Sequence, residues 1–265
     1  MPTTAEIMTS PGESYAIVLA LLFAVAAGLV GSFALMKRML LASDVISHVA
    51  LPGVGLAFLF GFNPLLGGAT TLFLGTLLIW QLEKKTGLAT DAMIGVVFAA
   101  SVAIGAALTP REDLEEALFG RFQALSLHAF LLGAVAVFVI LCVMFRCKEQ
   151  LLLSLFSPEL AAATSVRLNR LNLIFLLTFS LTVLVGLRFM GALLAGALVI
   201  LPATTGRRLA GSLSHFLIAS CLVSVAATGV GFLITAVALP RVSPGPIVVI
   251  VSALFFALSL LRKAG

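Results

Sequence analysis

Apolar runs of roughly 20 residues recur along most of this 265-residue chain, and they leave few architectures open. A helix of that length crosses about 30 Å of hydrocarbon. Lipid offers the backbone no hydrogen-bond partner, so a spanning segment must be a helix or part of a closed barrel. The runs lack the strict alternation of barrel strands, which selects helices. Composition agrees. The chain is 61% hydrophobic and 10% charged, against about 25% charged in ordinary soluble domains. A soluble fold of this size has no polar coat for so much apolar surface. The reading is therefore all-α, a polytopic transmembrane helix bundle of about eight or nine spans. Residues 15–265 form a single membrane domain after a polar segment, 1–14.

The expected spans are Tyr15–Met36, Leu40–Phe62, Pro64–Leu82, Ala92–Leu108, Leu125–Phe145, Leu171–Phe189, Gly191–Ala203, Leu213–Leu239 and Pro246–Leu261. The seventh is short and is expected to be tilted, broken or packed inside the bundle. Cytoplasmic loops carry the excess of Lys and Arg. Twelve of the sixteen basic residues fall on one side: Lys37, Arg38, Lys84, Lys85, Arg146, Lys148, Arg167, Arg170, Arg207, Arg208, Arg262 and Lys263. Arg111, Arg121, Arg188 and Arg241 fall on the other. The larger set marks the cytoplasm, with the N-terminus outside and the C-terminus inside. The net charge of +5 reflects this topology, not nucleic-acid binding. The polar first ten residues argue against a removable signal peptide.

Two loops carry information. Pro110–Glu116 is acidic and external, either a solvated turn or a place where a cation or partner docks. Glu149–Arg170 is the longest internal connection. Within it SPELAAATSVRLNRL reads as a short helix, with Ser157 at the N-cap, Pro158 in the first turn and Glu159 next. A helix lying on the cytoplasmic face suits the docking of a soluble partner. Cys142, Cys147 and Cys221 have neither CxxC nor zinc-finger spacing and read as small buried hydrophobes.

Charge inside a membrane is costly and points to function. Asp44 and His48 stand at i and i+4 in LLASDVISHVALPGVG, one helical turn apart. A carboxylate oxygen and a neutral imidazole nitrogen suit zinc, manganese or ferrous iron. No Met or Cys stands beside them to favour cuprous copper. Ser43 and Ser47 lie close enough to support the pair. The bland alternative is that Asp44 caps the helix and His48 bonds a carbonyl. Asp44 follows Arg38 closely, which places it in the cytoplasmic half. Two ligands are too few, since zinc takes about four and harder ions about six. A two-fold homodimer with this face on its axis would double the set.

Pro52 follows the pair and removes the amide that would bond the His48 carbonyl. Pro202 in ALVILPATTGRR makes a similar break, serving a cavity or merely packing. His128 and His215 lie near span boundaries and read as interfacial. The runs GALLAG and TGVG favour close helix packing.

The run SDVISHVALPGVGLAFLFG resembles the signature of the ABC-3 family of zinc and manganese permeases. The similarity continues, in the family's order, through ATDAMIGVVFAASVAIGAAL, DLEEALFGRFQALS, SPELAAATSVRLNRLN and GALLAGALVILPATTGRRLAGSL, from about Leu29 onward. The resemblance implies a homodimer in a bacterial inner membrane, embedded in lipid. It implies a cytoplasmic ATPase subunit for each copy and an extracytoplasmic metal-binding protein that delivers the ion. It assigns metal contact to Asp44 and His48, and a coupling helix to Ser157–Val166 within the cytoplasmic loop 149–170. Ser157 stands where the family usually has Asp, and Ser165 where it usually has Gly.

The chain has no GxxxxGK[ST] loop, so ATP chemistry belongs on a separate chain, and no covalently bound cofactor is expected. The expected function is that of a transport subunit, not an enzyme. It would import zinc, manganese or ferrous iron by alternating access through a homodimer interface. One alternative is a secondary metal or proton-coupled transporter using the Asp–His pair as a relay. Another is an intramembrane enzyme built on GSLSH (Gly211–His215), though that stretch lies near the inner boundary and lacks supporting groups.

Overall fold

The computed structural model describes residues 11–40, 42–108, 125–157, 159, 167–238 and 242–261. The loop 110–116 and most of Ser157–Val166 lie outside the described residues. Helices run α1 Pro11–Met36, α2 Ala42–Ser47, a 3₁₀ turn His48–Ala50, α3 Leu51–Phe60, α4 Pro64–Thr86 and α5 Thr90–Leu108. They continue as α6 Leu127–Phe156, α7 Leu168–Phe189, α8 Ala192–Leu209, α9 Leu213–Val237 and α10 Pro244–Leu261. No strand occurs among the described residues. Among the described residues, eight helical passages are long and apolar enough to cross a bilayer, counting 42–60 as one interrupted passage. The all-α transmembrane bundle expected from the apolar runs is thus the observed fold.

Local chemistry explains the ends. Asn63 accepts the Leu65 amide at 2.9 Å while Pro64 occupies the first turn of α4. Gly87 closes the same helix at φ +68°, where a side chain would be strained. Lys84 and Lys85 in the last turn of α4, and Arg207 and Arg208 in that of α8, complement the helix dipole. Ser126 and Ser212 cap α6 and α9 with their side-chain oxygens.

α1 is the most buried span and packs against α6, α7, α8 and α9. Its Leu19, Phe23, Val30 and Phe33 are fully enclosed. α6 and α10 are the least buried of the spans and present large apolar side chains outward. Several buried hydroxyls are satisfied within their own helices, while the buried Ser224 Oγ has no hydrogen-bond partner among the described residues. Ser32, Thr182, Thr228 and Ser252 each donate to the carbonyl four residues back at 2.8 Å.

Two expectations change, and for the seventh run the structure selects packing inside the bundle from the three alternatives. α6 continues past Phe145 to Phe156, because the apolar run ends there but good helix formers and the buried Leu151 carry the helix on. The short seventh run belongs to a continuous helix, α8, packed against α1, α2, α7, α9 and α10, and uninterrupted at Pro202. Cys142 is exposed rather than buried, on the outer face of α6. Cys221 is half-buried and lends its thiol to the Val25 carbonyl at 3.5 Å.

Candidate functional site

The approach to Asp44 is a tight turn. After α1, the amides of Lys37, Arg38 and Met39 bond back to Phe33, Leu35 and Ala34 at 2.9, 3.0 and 2.8 Å. Arg38 adopts φ +60° without being glycine, a conformation that costs roughly 1–2 kcal/mol. Met39 is buried and its carbonyl accepts the Ala42 amide at 3.1 Å. The turn therefore hands the chain from α1 to α2 with little slack.

In α2, Ala42, Ser43, Ile46 and Ser47 are buried while Asp44 is exposed. Asp44 stands beside Gly196 of α8: a Cβ at that glycine would sit 3.9 Å from the Asp44 Cβ. Glycine at this position leaves room next to the carboxylate. His48 is half-buried and meets Phe98 of α5 edge-on, with ring centroids 5.6 Å apart at 63°. The two residues thus meet different neighbours, and they do not share one regular helix, since α2 ends at Ser47.

Ser43 and Ser47 do not support the pair as expected. Ser43 donates to the Leu40 carbonyl at 3.1 Å and Ser47 to the Asp44 carbonyl at 2.6 Å. Their protons are spent on the backbone. The His48 carbonyl is not freed by Pro52 either. It accepts the Leu51 amide, which closes the 3₁₀ turn one residue early. Pro52 thus determines how the helix is rewound, not whether a carbonyl is exposed. Thr71 of α4 lies against the break, with its hydroxyl 3.2 Å from the Ala50 carbonyl and equally far from those of Gly67 and Gly68 in its own helix. Gly67 and Gly75 of α4 and Gly105 of α5 let these helices close on Gly53, Val49 and Leu51.

The other histidines lie apart from this place. His128 is exposed in the first turn of α6. His215 is exposed, with Nδ1 2.7 Å from the Ser212 hydroxyl that caps α9. GSLSH is a helix start. Among the described residues no three His, Cys, Asp or Glu side chains gather as a metal-binding group.

A second polar constellation lies where the ends of three helices meet, and sequence reasoning missed it. Lys37 Nζ donates to Asn172 Oδ1 at 2.7 Å, and Asn172 Nδ2 donates to both Glu83 oxygens at 3.0 and 2.8 Å. Lys37 also lies 5.0 Å above the Phe175 ring. Burial pushes the Lys37 ammonium below the ordinary lysine pKa, and the Glu83 charge opposes this. Each residue alone reads as an interfacial polar group. The one available signal was Asn172, a bulky amide one residue into the apolar run that begins at Leu171.

A family model described as the ABC 3 transport family matches residues 13–263. The manganese import system permease protein ScaB of Streptococcus gordonii is 31% identical over 249 residues, covering 92% of this chain and 88% of that protein. The high-affinity zinc uptake system membrane protein ZnuB of Haemophilus influenzae is 28% identical over 239 residues, 88% of this chain and 90% of that one. Among solved structures, PsaBC from Streptococcus pneumoniae in complex with Fab superposes with a TM-score of 0.79 at 26% identity, covering 96% of this chain and 92% of that chain.

Proposed function

Because the chain belongs to the ABC 3 transport family and is similar to manganese and zinc permeases, we propose that it is the membrane-spanning permease subunit of an ATP-driven importer for manganese, zinc or ferrous iron. The observation that carries the reading to a site is Asp44: an exposed carboxylate, one turn before His48 and the 3₁₀ break, on a span of a chain in that family.

Asp44 supplies an anionic oxygen and His48 a neutral nitrogen, a donor set for borderline divalent ions. Each copy contributes two ligands. Two copies related by a two-fold axis along the exposed face of α2 contribute four, enough for zinc and, with water, for manganese. Gly196 leaves space where the ion passes. Phe98 limits how far the imidazole turns. Both devices keep the pair poised without a fixed cage, as release requires.

ATP hydrolysis takes place on a cytoplasmic ATPase chain that docks at the internal connection between α6 and α7, within the stretch 149–170. An extracytoplasmic binding protein presents the ion from the other side. Closure of the ATPase pair moves the two permease copies, and the Asp44–His48 site opens to each side in turn. The assembly lies in a bacterial inner membrane, with α6 and α10 toward lipid, a reading supported by the positive-inside pattern and the eight apolar passages.

The test is uptake by the permease–ATPase complex in proteoliposomes, for wild type, Asp44→Ala and His48→Ala, with manganese, zinc and ferrous iron. Both variants are expected to lose transport while complex assembly survives, and the fastest wild-type ion names the substrate. Normal transport by both variants would place the ion path elsewhere. Wild-type uptake without the ATPase would favour a secondary transporter.

A further inference from the structure

The Lys37–Asn172–Glu83 constellation joins the three helices that control where Asp44 sits. Asn172 lies in the first turn and a half of α7, directly after the internal connection that ends at Arg167. Lys37 is the first residue after α1, in the turn that leads into α2. Glu83 is in the last turn of α4, the helix whose Thr71 and Gly67 pack against the segment around the 3₁₀ break. One amide side chain holds all three together.

The chemistry admits only one orientation of that amide. Lysine can only donate and an ionised carboxylate can only accept. The Asn172 oxygen must face Lys37 and its nitrogen must face Glu83, as observed. Both ends of the amide are used in charge-assisted bonds, which are about twice as strong as neutral ones. The site is still openable. It borders an open cleft of about 370 Å³ lined by Arg38, Thr90, Ser154 and Asn169 as well as the three residues themselves. Water entering this cleft would solvate the separated charges.

A deeper tie between α4 and α7 is different in kind. Thr76 and Ser180 share a bond of 2.6 Å and are both fully buried, at 1% and 0% exposure. Helices α4 and α7 are thus joined at a buried level inside the bundle and at a charged level, beside the open cleft, at the helix ends. That is the arrangement of a hinge with a releasable end.

We infer that Lys37, Asn172 and Glu83 form a cytoplasmic latch that fastens α7 to α4 and to the turn before α2, so that movement of α7 is passed on to Asp44. The inference rests on the permease reading, in which force arrives through the loop before α7. The turn after α1 transmits it, because the backbone bonds of Lys37, Arg38, Met39 and Ala42 and the buried Met39 hold it in place. The three are positioning residues, since none of them is part of the Asp44–His48 pair.

The experiment measures metal uptake and ATP hydrolysis together, on the complete permease–ATPase complex in proteoliposomes, with manganese and zinc as probes. Asn172→Leu and Lys37→Met are expected to hydrolyse ATP while moving roughly tenfold fewer ions per ATP, a usual size for coupling between sites. The double variant is expected to be no worse than the weaker single one, because both break the same link. Lys37→Arg is expected to restore most of the coupling. Wild-type ions per ATP in both single variants would overturn the latch, as would equal loss of uptake and hydrolysis or strictly additive losses. If Asn172→Leu fails to assemble, Glu83→Gln decides the matter, since it keeps an acceptor but removes the charge. Unchanged ions per ATP in that variant would sink the latch, and a partial loss would support it. ATP-dependent wild-type uptake with fully coupled variants overturns the latch alone. ATP-independent wild-type uptake overturns the importer reading and the latch with it.

Discussion

Gly53 of α3 and Gly67 of α4 pass backbone against backbone: a Cβ added to either would run into the carbonyl oxygen of the other. This contact lies directly after Pro52 and holds the rewound segment against α4. In lipid, where apolar burial does not drive helix association, such close van der Waals packing is the main attraction between spans.

Gly53→Ala and Gly67→Ala should therefore each destabilise the protein, by roughly 1–3 kcal/mol, the usual cost of overpacking. Thermal unfolding of the purified protein in detergent reads this directly. The double variant should cost less than the two single costs combined, because one separation of α3 from α4 relieves both clashes. Unchanged midpoints would show that the helices part without penalty.

Thr76 and Ser180 should respond unequally. Thr76 already donates to the Leu72 carbonyl at 2.8 Å, so in their shared bond Ser180 is the donor. Ser180→Ala leaves Thr76 satisfied and should cost about 0.5–1 kcal/mol, the net worth of a hydrogen bond. Thr76→Val strands the buried Ser180 hydroxyl and should cost more, about 1–3 kcal/mol. Equal losses in thermal stability, or the reverse order, would contradict the donor assignment.

Pro52→Ala restores an amide that can bond the His48 carbonyl in place of the Leu51 amide. The 3₁₀ turn, wound at about 120° per residue, would relax toward the α-helical value of about 100°. His48 would then turn relative to Asp44. The variant should fold at least as well as wild type yet transport metal roughly tenfold more slowly, the effect of a small misplacement of a positioned group. Wild-type uptake would show that the rewinding at Pro52 has no part in setting the site.

Lys37 gives a pH signature. Burial holds its pKa below lysine's ordinary 10.5, so the folded protein binds this proton less tightly than the unfolded chain does. The cost of the buried ammonium is present in full below the lowered pKa. It fades as pH climbs from that value toward 10.5, so folded stability rises across this window. Glu83 from α4 faces the ammonium and pulls its pKa back up, and Arg38 lies on the same turn. Lys37→Met removes the titration. The difference in thermal midpoint, wild type minus variant, should therefore move in favour of wild type between neutral pH and about pH 10. A flat difference would mean that Lys37 is as well solvated folded as unfolded.

Much of the fold was legible in the order of the residues because the membrane turns local composition into architecture. A run of apolar residues must become a helix where backbone groups have no other partner, and the side of each Lys and Arg follows from the order of the runs. Asp44 and His48 stood out for the same reason, as polar residues in apolar surroundings. What surrounds them was not legible. That Asp44 faces Gly196 and His48 meets Phe98 depends on which helices pair, and pairing is set by contacts such as Gly53 with Gly67 between separate spans. The fate of the Ser43 and Ser47 hydroxyls and of the His48 carbonyl turned on competing backbone bonds of nearly equal energy, which sequence spacing does not rank. The link from Lys37 through Asn172 to Glu83 needed three helix ends brought together. Sequence by itself determined that this is a metal-permease-like helical bundle, and it singled out Asp44 and His48 as a polar pair within an apolar passage. Tertiary structure alone decided what each polar group touches, because hydrophobicity sets where a helix lies but shape and hydrogen bonding set its neighbours.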